Sequence, residues 1–118
     1  MPVDVKYRVI RQHNRSYDEG IQFHCGESVQ VGRRDDRWSS WLWCTNDLGL
    51  GAWVPEQLLS TTDPTRTVVT ADYNSIELTV KPGELLLGTK VLAGWVWCKN
   101  SRHEEGWVPV ENLQLTRN

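Results

Sequence analysis

The chain has 118 residues, a formal net charge of −2 and 24% charged residues of both signs, dispersed so that no basic stripe for neutralising nucleic-acid phosphates is visible. Its three cysteines form no CxxC pair, which argues against a disulfide framework or a zinc site. No apolar run approaches the roughly 20 residues of a membrane span, and the start MPVDVKYRVI lacks the basic-then-apolar pattern of a signal peptide; a soluble, cytoplasmic protein without membrane or nucleic-acid partners is expected.

Short alternating apolar runs, punctuated by Gly and Pro, predict an all-β chain. In chain order, strands are expected over residues 7–11, 28–32, 41–45 and 51–54, with a short one near Leu59. Further strands are expected over residues 67–70, 85–89, 95–99, 106–108 and 113–115. Gly26-Glu27 and Gly83-Glu84 mark equivalent turns, and residues 46–51 and 100–105 read as hairpin tips. Residues 60–65 (STTDPT) are polar, contain Pro64 and form the only linker-like stretch.

The pattern WxWCxN, followed at a fixed distance by WVP, occurs twice. One constant offset relates Trp41 to Trp95, Trp43 to Trp97, Cys44 to Cys98, Asn46 to Asn100, Trp53 to Trp107 and Pro55 to Pro109. Six of the seven tryptophans fall in this register, so the chain reads as two copies of one unit. The expected division is residues 1–60, a linker at 61–65, and residues 66–118. Five short strands per copy predict two tandem five-stranded barrels, since closure removes exposed edges. A unit this small is marginal alone, and so short a linker keeps the two adjacent.

Side chains alternate faces along a strand. Trp41 and Trp43 share one face, while Leu42 and Cys44 share the other. Small and aliphatic Leu42, Cys44 and Val54, with Cys98 and Val108 in the second copy, suit a barrel interior, and three tryptophans per copy do not. The matched Trp residues are therefore expected on an outer face, where aromatic clusters mark contact surfaces.

Each copy resembles a Src-homology-3 (SH3) domain, the second more closely. VTADY (69–73) is similar to the family's ALYDY element, and ELTVKPGE (77–84) to its acidic loop end and diverging turn. GWVWCKN (94–100) is similar to the segment opening with the groove tryptophan, and GWVPVENL (106–113) to the last strands with the groove proline and 3₁₀ turn. The arrangement resembles small bacterial proteins built of two variant SH3 domains, with no enzymatic activity implied. In that family a proline-rich peptide lies across aromatic ridges, and acidic loops hold a basic ligand residue. The resemblance implies groove positions Tyr73, Trp95, Pro109 and Asn112 in the second copy, with Glu77 as its acid. In the first copy it implies His13, Trp41, Pro55 and Leu58, flanked by Tyr17 and Trp38, with Asp18, Glu19, Asp35 and Asp36 as acids. The pattern departs where Arg11 and Ala71 replace the first motif tyrosine, where His13 replaces the second, and where Leu58 and Asn112 replace the last.

The expected function is non-catalytic binding of a peptide segment of a partner protein, through the first copy or a shared cleft. One alternative is a structural protein whose Trp faces are buried internally or self-associate. Another is an aromatic cage of Trp38 and Trp41, with Asp35 and Asp36, for a methylated or free ammonium group. No cofactor motif, metal set or catalytic constellation is apparent; Cys25 beside His24 reads as a surface thiol without an oriented base.

Overall fold

The computed structural model describes residues 4–116. In chain order the strands are β1 (Val5–Val9), β2 (Gln22–Phe23), β3 (Ser28–Arg34), β4 (Trp41–Thr45) and β5 (Gly51–Pro55). After the 3₁₀ turn Glu56–Leu58 come β6 (Leu59–Asp63), β7 (Arg66–Val69), β8 (Tyr73–Asn74), β9 (Leu85–Leu92), β10 (Trp95–Lys99) and β11 (Glu105–Pro109). A second 3₁₀ turn, Val110–Asn112, leads into β12 (Leu113–Leu115). The protein is all-β, as the alternating apolar pattern predicts, with no α-helix among the described residues.

The chain divides into two compact units, but not at the expected place. One unit is contiguous, Gly20–Ser75, and is called the inserted unit below. The other, the split unit, joins the residues up to Glu19 to those from Ile76 onward. Residues 61–65, read as a linker, form the end of β6 and the turn of a hairpin inside the inserted unit. There β6 pairs with β7 through Leu59↔Val69, Ser60↔Val68 and Thr61↔Thr67. The Asp63 carboxylate caps the tip, accepting from the Thr65 hydroxyl at 2.6 Å and the Thr65 amide at 2.8 Å. These bonds hold its pKa below the ordinary value. A polar, Pro-containing stretch serves a hairpin turn as readily as a linker, which is why the pattern misleads.

Each unit carries one five-stranded antiparallel sheet. The order is β11-β10-β9-β1-β12 in the split unit and β5-β4-β3-β7-β6 in the inserted unit. β1 and β7 hold equivalent places, each between a long strand and the edge strand that follows a 3₁₀ turn. β1 pairs with β9 (Tyr7↔Leu86) and β12 (Val9↔Leu113), not with β3 and β6. The ladders leave β11, β12, β5 and β6 as edges, so they do not form the closed barrels expected. The inserted unit adds the short β2–β8 pairing, Phe23↔Tyr73. The split unit has the corresponding isolated bridge His13↔Val80, and a parallel bridge Glu77↔Trp107.

Strand parity places the core cysteines and valines, while Leu42, expected inside with them, is half-buried. Cys44, Val54, Cys98 and Val108 are all fully buried. In the split unit Val9, Leu78, Val80, Leu86, Val96 and Leu113 surround the last two, with Tyr7 against them. Burial pushes the Cys44 thiol up to about 11 and the Cys98 thiol up to about 12. The hairpin tips are built alike: the side-chain oxygen of Asn46 accepts from the amides of Leu48 and Leu50, and that of Asn100 from those of Arg102 and Glu104. This tip needs a positive φ at its fourth residue, met by Gly49 (81°) and by His103 (66°).

Candidate functional site

The unit boundaries regroup the sequence-predicted site residues. His13, Tyr17, Asp18 and Glu19 belong with Glu77, Trp95, Pro109 and Asn112 in the split unit. Tyr73 belongs instead with Trp41, Pro55, Leu58, Trp38, Asp35 and Asp36 in the inserted unit. The expected sets, in which His13 accompanied Trp41 and Tyr73 accompanied Trp95, are therefore exchanged.

In the split unit the ridge positions pack on one another. Trp95 pairs with Pro109 across β10 and β11. The His13 imidazole meets the Trp95 ring edge-on at 5.2 Å. Asn112 donates from its side-chain nitrogen to the carbonyls of Arg11 (3.1 Å) and Gln12 (3.0 Å), tying the 3₁₀ turn to the segment before His13. Glu77, expected to hold a basic ligand residue, is only 5% exposed. One of its oxygens accepts from the Ser16 amide (3.0 Å) and hydroxyl (2.9 Å) and contacts His13 Nε2 at 3.1 Å. That carboxylate organises the loop. The Ser16 hydroxyl is directed at the carboxylate, so His13 does not activate it as a nucleophile. Tyr17 is half-buried, while Asp18 and Glu19 are exposed, Asp18 within 3.5 Å of Arg15.

In the inserted unit, Tyr73 stacks on Phe23 (6.2 Å), lies tilted to Trp41 (6.5 Å, 51°) and donates its hydroxyl to the Trp53 carbonyl at 2.9 Å. Trp41 and Pro55 are register partners and both are buried. The loop before β4 is held by Asp35, whose carboxylate accepts from the amides of Arg37 (3.1 Å) and Trp38 (2.6 Å). The Arg37 guanidinium lies 5.7 Å over the Trp38 ring, so a cation of the chain itself already stands where the ammonium cage was expected. Asp36 is exposed and Leu58 half-buried. Arg34 forms a two-point pair with Glu56 (3.0 and 3.3 Å), fastening β3 to the 3₁₀ turn and lowering the Glu56 pKa. Cys25 is exposed, its amide donating to Asp72 (2.8 Å) and its thiol facing the Thr70 carbonyl at 3.2 Å.

The open aromatic face expected from parity is absent. Trp41, Trp95 and Trp107 are buried, and Trp43, Trp53 and Trp97 are half-buried. The side of the strand that parity assigns them is not open, because neighbouring groups lie against it. Tyr73 approaches Trp41, His13 approaches Trp95, and residues 76–78 run along Trp107. The remaining indoles form cross-strand pairs: Trp43 with Trp53 (5.2 Å, 77°) and Trp97 with Trp107 (5.3 Å, 72°).

Solvent-facing apolar side chains stand elsewhere. On the outward side of the split-unit sheet, Leu85 is 59% and Leu87 36% exposed. Register places Lys6 and Lys99 on either side of Leu87, and Arg8 beside Leu85. These positions come from three separate parts of the chain, so a scan for a local basic stripe does not find them; only strand pairing assembles them. Among the described residues no helix is long and apolar enough to cross a membrane. Compared with known proteins, the chain matches no protein-family model and no curated sequence.

Proposed function

We propose that each unit is a variant SH3-like fold built on an open five-stranded sheet and that the protein is a non-catalytic module binding a segment of a partner protein in the cytoplasm. The SH3-like reading is supported by the shared strand order and by the 3₁₀ turn that precedes an edge strand, β6 or β12, in both sheets. A reducing compartment fits the free thiols of Cys44 and Cys98. The interaction reading is carried by one observation: Leu85 and Leu87 face solvent from a regular strand, while the aromatic ridge positions Trp41, Tyr73 and Trp95 are buried. Exposed apolar side chains ordered on a rigid sheet are what a partner segment covers. Titration of the full chain with basic proline-rich, acidic-apolar and neutral peptides, read by amide NMR, tests this. A saturable set of shifts with any of them supports the module, and silence with all of them removes it.

A second, architectural reading is favoured by the burial of Trp41, Trp95 and Trp107. It holds that the duplicated tryptophans serve folding alone. Acrylamide quenching separates the two: uniform protection, unchanged by every peptide, leaves only the architectural role.

A further inference from the structure

We infer that the outward face of β1, β9 and β10 in the split unit docks an acidic, apolar segment of a partner protein. The inference rests on the interaction-module reading and gives it a surface and a ligand chemistry opposite to the basic peptide expected from the acidic loops.

The face is laid out by register. One row across the sheet runs Glu105, Lys99, Leu87, Lys6 on β11, β10, β9 and β1. The next row runs Leu85, Arg8, Gln114 on β9, β1 and β12. Beyond Lys99 on β10, Trp97 pairs with Lys90 of β9. Neighbouring strands lie about 4.8 Å apart, and alternate residues on one strand about 6.7 Å apart. Leu87 is thus an apolar centre with an ammonium group on each side, and Leu85 has a guanidinium beside it. Lys6, Arg8 and Lys90 are exposed and Lys99 is half-buried. Among the described residues none of these four cations forms an ion pair; the only carboxylate in the rows is Glu105, at the edge strand. In a chain with net charge −2 this is a local excess of positive charge around two leucines. Its complement is a segment with carboxylates flanking an aliphatic side chain.

The inserted unit supplies an internal control. The equivalent rows there hold Ser28, Gln30, Thr45 and Val68, with Arg66 nearby. They carry no leucine, and Ser28, Gln30, Thr45 and Arg66 line a concavity of about 550 Å³. The cationic-apolar face therefore does not follow from the fold itself. A nucleic-acid partner is the weaker fit, because base stacking needs an open aromatic plate and Trp97 is engaged edge-on by Trp107 at 5.3 Å.

The test uses the full chain and a synthetic peptide alternating Glu and Leu, followed by amide NMR. Expected are shifts centred on Lys6, Arg8, Leu85, Leu87 and Lys99, weakening as salt is raised. Affinity falls about tenfold in the Lys6→Glu, Lys99→Glu double variant, because like charges then meet across the contact. The Lys6→Gln, Lys99→Gln variant, with an unchanged melting temperature, gives a smaller loss and guards against misfolding. Binding that neither variant alters overturns the inference. So does a basic proline-rich peptide that binds near Tyr17 or Trp38 while this face stays silent, which leaves the module reading standing. Tighter binding at this face by a single-stranded oligonucleotide or a phosphatidylserine vesicle overturns the choice of partner. Silence with every peptide instead removes the module reading itself.

Discussion

At the edge strand of the inserted unit, the Trp53 carbonyl accepts a hydrogen bond from the Tyr73 hydroxyl at 2.9 Å. At the equivalent edge of the split unit, the Trp107 carbonyl accepts from the Leu78 amide at 3.1 Å, and the Trp107 amide donates to Ile76. His13 is the counterpart of Tyr73, but its ring meets Trp95 and Glu77 instead. The split unit therefore covers its edge with backbone, and the inserted unit reaches it with a phenol. A second difference follows from the first. Gly106 stands where the inserted unit has Ala52, because a Cβ at position 106 would lie 2.7 Å from the Glu77 carbonyl carbon and 2.8 Å from the Leu78 nitrogen. Ala52 is fully buried and fits its site. A duplicated sheet thus tolerates different residues at matched positions when a different segment runs over its edge.

The largest effect that would break this comparison concerns the units themselves. A fragment of residues 20–75 contains every strand of the inserted unit and is expected to give a dispersed amide spectrum and a cooperative melt. A fragment of residues 1–60 lacks β7 and should be mostly unfolded. The reverse result would restore the simple tandem division. Next, Gly106→Ala should lower the urea-unfolding free energy by about 2–3 kcal/mol by forcing β11 away from residues 77–78. Ala52→Gly should cost only about 0.5–1 kcal/mol. Equal effects would mean that residues 76–78 do not close on β11.

Tyr73→Phe should cost about 1 kcal/mol by leaving the Trp53 carbonyl without its donor, read as a shift in urea midpoint with unchanged slope. A neutral result would show that water replaces the phenol there. The smallest effect is absent at neutral pH. The thiols of Cys44 and Cys98 move from the ordinary 9.0 up to about 11 and about 12 by burial. A folded-state pKa above the unfolded one stabilises below about pH 9 and ceases to do so as pH rises through the folded values. The urea midpoint should hold to about pH 9 and then decline, and the Cys44→Ala, Cys98→Ala double variant should decline less. An identical decline in that variant would exclude the thiols as the cause.

The duplication, the all-β class, the inward Cys and Val positions and both hairpin tips were legible in the sequence, because local alternation and turn chemistry decide them. The partner of β1 was not. Val9 and Val69 each end a strand whose alternation suits either sheet, and alternation encodes a face rather than a neighbour. The burial of Trp41 and Trp95 was illegible for a related reason: parity tells which side an indole leaves the strand, and Tyr73 and His13 arrive against it from distant segments. The exchange of His13 and Tyr73 between ridge sets follows from the same hidden pairing. Lys6, Leu87 and Lys99 become a single row only once β9 lies between β1 and β10.

The place of β1 also sets an order of events on the ribosome. β3 and β6 emerge before β7, at a time when β1, which has the same alternation, is already available. β9 and β12, the strands β1 pairs with in the finished protein, emerge later still. Until β7 emerges, β1 is free to compete for the seat that β7 takes. Reaching the final pairing requires that β1 stay unpaired or be displaced, so slowed translation of residues 66–75 should raise the yield of mispaired chains.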